Sequence, residues 1–158
     1  MNRTTNQILT LLAAITLSGA ALAGGNHPAG HNHGEDESAI GKPGSAGSIN
    51  RTISVAMTDN MRFTPSNILV KRGETIRFTI KNNGQVKHEL SLGTQKELLE
   101  HLELMKKFPD MEHDEPNKVS LTPGQHGEIV WQFTKAGIVN FACLLPGHYE
   151  AGMKGFIK

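Results

Sequence analysis

The sequence predicts an all-β sandwich carrying one inserted amphipathic helix. From Ile49 onward, short runs of alternating apolar and polar residues are separated by turn residues, the pattern of half-buried strands. Only the stretch from Thr94 to Phe108 changes to helical spacing. A chain of 158 residues supplies a single core with extensions but not two sandwich domains.

The chain begins with a segment that the sandwich does not need. Arg3 gives Met1 to Ala23 a positive start, Ile8 to Leu17 form an apolar stretch, and Ala21-Leu22-Ala23 supply small residues for cleavage. This is the pattern of an export signal, and the apolar run is shorter than the ~20 residues of a membrane span. A soluble protein of the periplasm, free of the membrane after cleavage, is expected. Residues 24–48 consist mostly of Gly, Ala, Pro, Ser, His and acid. Such a stretch buries too little apolar surface to offset its ordering entropy and is expected to form a mobile tail.

Residues 49–158 form the expected domain. Ile53, Val55 and Met57 alternate with Thr52, Ser54 and Ala56 in a first strand, and Ile68 to Val70 make a short second one. After the Arg72-Gly73 turn, Ile76, Phe78 and Ile80 form a third strand that stops at Asn82-Asn83-Gly84. The next strand places His88, Leu90 and Leu92 on one face, so His88 is expected to point inward. Thr94 and Glu97 have the spacing of a capping box, and Leu98, Leu102 and Met105 continue one helical stripe until Phe108-Pro109. Strand alternation resumes at Val119 to Leu121, at Ile129, Trp131 and Phe133, and at Val139, Phe141 and Cys143. Trp131 is a core residue, and Gly155 to Lys158 are the last strand.

Charge narrows the function. Removing the signal takes Arg3 from 16 basic residues and nothing from 15 acidic ones, which leaves a neutral chain. No field for nucleic acid or anionic membrane is implied. No glycine-rich phosphate loop or paired-cysteine motif is present. The single cysteine cannot form an internal disulfide, so in an oxidising compartment it is buried and inert, paired with another chain, or bound to a metal.

The run Cys143-Leu-Leu-Pro-Gly-His148-Tyr-Glu-Ala-Gly-Met153 decides among these. Two imidazoles and a thiolate in a trigonal plane, with a weak thioether on the axis, are the donors of a blue-copper centre. Cys143, His148 and Met153 supply three of them, and Pro146-Gly147 can bend the chain so that they converge. The fourth is His88 by its inward parity, with His101, His113 and His126 as rivals on a helix or polar loops. Zinc accepts a Cys and two His, but the thioether favours copper. His27, His31 and His33 in the tail are solvated spacers or weak secondary copper ligands. His101 and Met105 share a helix face, with Met111 and His113 beyond. They serve either packing or a second soft site.

The spacing of Cys143, His148 and Met153, with a distant His88 at a strand end, resembles the cupredoxin family of type 1 copper proteins, over roughly residues 50–158. The resemblance implies a Greek-key β-sandwich holding one copper ion at one end, with His88, Cys143 and His148 equatorial and Met153 axial. The gap between Cys143 and His148 is more similar to the rusticyanin and auracyanin branch than to plastocyanin. Ile40-Gly-Lys-Pro-Gly44, Met61-Arg-Phe-Thr-Pro65 and Phe141 to Met153 resemble periplasmic cupredoxins associated with bacterial copper tolerance. Where many cupredoxins have Asn or Ser after the first histidine, this chain has Glu89, a carboxylate that could alter potential or colour.

Three functions follow in order. The first is copper tolerance, by sequestering copper, oxidising Cu(I) or passing the ion to a copper-handling protein. The second is electron carriage between periplasmic redox partners. The third, a cysteine hydrolase with Cys143 as nucleophile and His148 as base, leaves Met153 without a role.

Overall fold

The computed structural model describes residues 38–108 and 114–158. The expected export signal, the expected tail as far as residue 37 with its three histidines, and Met111 and His113 lie outside the described residues.

In chain order the elements are β1 (Lys42–Pro43), a 3-10 turn (Ala46–Ser48), β2 (Arg51–Thr58), β3 (Arg62–Thr64), β4 (Asn67–Ile68), β5 (Thr75–Asn82) and β6 (His88–Gly93). Helix α1 (Gln95–Lys107) follows, then β7 (Lys118–Leu121), β8 (His126–Gln132), β9 (Val139–Ala142) and β10 (Lys154–Ile157). They build two five-stranded sheets, ordered β1-β8-β5-β2-β3 and β4-β10-β9-β6-β7. Pairing is antiparallel except for β2 with β5 and β4 with β10. This is the Greek-key sandwich that the sequence predicts.

The alternation sets the core. Val55, Met57, Ile76, Phe78, Ile80 and Ile129 from one sheet meet Leu90, Leu92, Phe141 and Ile157 from the other, all buried. Phe63 and Phe141 join the sheets in an edge-to-face contact with ring centroids 5.1 Å apart, a geometry that adds to the area they bury.

Helix α1 adds a third layer. Its Leu98, Leu102 and Met105 pack against Ala142 and Leu144, with Leu145 and Tyr149 at the margin. The expected capping box is present: Thr94 Oγ1 accepts from the Glu97 N–H at 3.2 Å and the Glu97 carboxylate accepts from the Thr94 N–H at 2.8 Å. Every residue of β6 is buried, which differs from a strand with one wet face.

Two expectations need correction. The mobile tail was expected to reach Ser48, but residues from Ser38 onward lie on the sandwich. Lys42 and Pro43 pair with Gln132 and Trp131, Ile40 is buried, and the Trp131 indole N–H donates to the Ile40 carbonyl at 2.8 Å. One apolar residue sufficed because it meets a preformed edge and a buried donor. The short strand expected at Ile68 to Val70 lies earlier and is shorter: β4 covers Asn67–Ile68, while Leu69 is exposed and Val70 is outside any strand.

Candidate metal centre

The centre is assembled by β6, the end of β9 and the loop joining β9 to β10. His88 opens β6 and is completely buried, as are Cys143 and Met153. His148 is half-buried. The His88 and His148 Nδ1 atoms are 3.3 Å apart, and the Cys143 Sγ lies 3.3 Å from His148 Nδ1. Ligand atoms of these three side chains all fall within 4.8 Å of one another.

Backbone hydrogen bonds hold the loop in shape. The Cys143 N–H donates to the Met153 carbonyl at 3.0 Å, and the Met153 N–H donates to the His148 carbonyl at 3.0 Å. The His148 N–H in turn donates to Leu145 at 3.0 Å, and Gly147 takes φ +84°, a value that favours glycine. Met153 is thereby brought back beside Cys143, the residue that follows β9. The Arg62 guanidinium donates to the Ala151 carbonyl at 2.8 Å and ties the far side of the loop to β3.

The electrostatics suit a bound cation. Burial pushes the Cys143 thiol up to about 12, opposed by backbone N–H groups of Leu145 and Glu89; the Glu89 charge adds to the rise. The Glu89 N–H lies 3.3 Å from Cys143 Sγ. Burial, and next the neighbouring His88, lower the His148 pKa from its ordinary value, with Asp59 acting the other way. A neutral imidazole offers its lone pair to a metal.

Glu89 brings its backbone to the centre but not its carboxylate. The side chain occupies the opposite face of β6, where it accepts from Ser91 Oγ at 2.8 Å and Ser120 Oγ at 3.1 Å. Register explains this, since Glu89 is paired with Ser120 across β6 and β7.

Of the rivals to His88, His126 is exposed at the start of β8 and His101 sits on α1, outside the three-residue cluster. Met105 is buried in the packing of α1, which accounts for its place in the helical stripe. Sequence reasoning missed Asp59, whose Oδ1 lies 3.0 Å from His88 Nε2. It also missed Asn82, whose amide donates to the Val86 and Leu121 carbonyls at 2.8 and 2.9 Å and fixes the loop before His88. The Asn82-Asn83-Gly84 turn signal was the available clue to Asn82; no local pattern marks Asp59.

The donor set fits copper. Bonds of about 2.0–2.3 Å to one ion leave trigonal donors roughly 3.5–4 Å apart, comparable to the separations seen here. Two imidazole nitrogens and a thiolate, with a buried methionine whose backbone is bonded to that of Cys143, select copper among the common metals. Residues 50–158 match the family described as copper binding proteins, plastocyanin/azurin family, and the chain belongs to it.

Similarity extends to particular relatives. The chain is 47% identical over 151 residues to a copper-resistant cuproprotein CopI of Rubrivivax gelatinosus, covering 94% of this chain and 92% of the relative. It is 38% identical over 174 residues to a protein of the same name from Pseudomonas aeruginosa, covering 92% and 94%. Among solved structures, a reduced auracyanin from Roseiflexus castenholzii superposes with a TM-score of 0.59 at 24% identity, covering 70% of this chain and 97% of the other. At that identity the likeness speaks for the fold alone.

Proposed function

We propose that this is an exported copper protein of the periplasm that serves copper tolerance, with His88, Cys143, His148 and Met153 as the residues that would hold the ion. The observation that carries the proposal is the convergence of two buried or half-buried imidazoles on one buried thiol, beside a buried methionine. Copper bound there supplies one-electron chemistry between Cu(II) and Cu(I). The chain's own part is to present soft donors from a sandwich end that backbone hydrogen bonds hold in place. The similar proteins named as copper-resistant support tolerance as the role. Sequestering the ion, oxidising Cu(I) and passing copper to another protein are the routes by which such a centre confers it.

Electron carriage between redox partners is the second function in view, favoured by the half-buried edge of His148 beside otherwise buried ligands. Growth separates the two. Loss of the gene should sensitise cells to added copper more than it slows respiration in copper-poor medium. A respiratory defect without copper sensitivity would favour the carrier.

A further inference from the structure

We propose that Asp59 is a positioning residue for the copper centre: its carboxylate fixes the His88 tautomer and favours Cu(II) over Cu(I). This rests on His88 being a ligand, as argued above. Asp59 lies in the turn between β2 and β3, and its Oδ1 is 3.0 Å from His88 Nε2, while His88 Nδ1 faces His148 Nδ1 at 3.3 Å. An ionised carboxylate only accepts hydrogen bonds, so it places the imidazole proton on Nε2. The Nδ1 lone pair is then left toward His148 and Cys143. A carboxylate behind a ligating imidazole also raises its basicity and fixes its ring plane, and its negative charge stabilises the more highly charged ion.

The carboxylate is itself held. Its Oδ2 accepts from the Gln85 N–H at 2.7 Å, and its Oδ1 also receives the Val86 N–H at 3.4 Å. Gly84 leaves the space this requires, because a Cβ there would collide with Asp59 Oδ1 and lie 3.1 Å from His88 Nε2. The loop between β5 and β6 is thus folded around the contact between Asp59 and His88. A carboxylate serving only to cap that loop would have no need to reach a buried imidazole.

The test compares wild type with Asp59→Asn and Asp59→Ala. Asn keeps an acceptor for Nε2 and removes the charge but sets its amide NH2 against the Gln85 N–H, so the apoprotein should melt somewhat below wild type while the copper-loaded protein shows a raised potential. Ala should weaken Cu(II) binding about 10–100-fold, the usual cost of losing such a partner, and Cu(I) binding less. In the metal-free protein at about pH 8, nitrogen NMR should find His88 protonated at Nε2 in wild type and Asn, and a mixture of tautomers in Ala. A wild-type His88 protonated at Nδ1, or a wild-type potential in both variants, would overturn the proposal. The tautomer is read without copper, so it decides the role of Asp59 even if the loaded protein proves not to be a type 1 centre.

Discussion

The thiol of Cys143 is buried beneath the loop that carries His148, and burial pushes its pKa up to about 12. At neutral pH the metal-free protein therefore holds a proton on sulfur that copper must displace. Loading apoprotein with Cu(II) near pH 7 in weak buffer should release about one proton per ion from this site, and affinity should rise with pH throughout the range below that value. A pH electrode reading no release would contradict a thiolate ligand. Met153→Leu should retain copper and move the potential upward, because loss of an axial thioether disfavours Cu(II); voltammetry checks this. His88→Ala should damage the centre far more than His126→Ala, since only His88 is brought to the cluster. That Cys143 and His148 come together was legible in the sequence because one short loop carries both, and that His88 meets them because strand parity aimed it inward. Asp59 was not, since 29 residues separate it from the histidine it touches and a lone acid in a turn has no periodicity to betray its direction.

Helix α1 and strand β1 illustrate what local pattern reveals about an element. The helix was legible down to its cap because Thr94, Glu97 and the Leu98, Leu102, Met105 stripe are local features. What the stripe covers was not, because its partners Leu144 and Tyr149 belong to the ligand loop some forty residues later. Leu102→Ala should cost about 2–5 kcal/mol by opening a cavity in that packing, and Thr94→Ala about 0.5–2 kcal/mol through the lost cap, both measured by denaturant unfolding. Lys106 bridges Glu103 and Glu150 at the surface, so Lys106→Ala should leave the unfolding midpoint nearly unchanged. Strand β1 escaped the sequence because Ile40 is its only large apolar neighbour and its stability comes from Trp131 on the facing strand. Removing residues 24–37 should leave stability intact. Extending the deletion to Ser48 removes the Ile40 carbonyl that accepts from the Trp131 indole N–H together with the buried Ile40 side chain, and should lower the melting temperature.

On the scale of the molecule, two sheets fix one end at which strand and loop ligands converge, and the helix braces the loop from outside. If the tail and the Met105 to His113 segment supply secondary soft sites, the mature protein should bind more than one copper per chain, with the extra ions yielding first to a competing chelator. Deleting residues 24–37 should reduce that excess. A single tightly held ion in both forms would remove the case for secondary sites. The centre itself is tested most directly by the visible absorption spectrum of copper-loaded mature protein beside Cys143→Ser. Charge transfer from the Cys143 thiolate to Cu(II) should give wild type an intense visible band that the serine variant lacks. A colourless copper-loaded wild type, or a serine variant that keeps the band, would contradict the assignment.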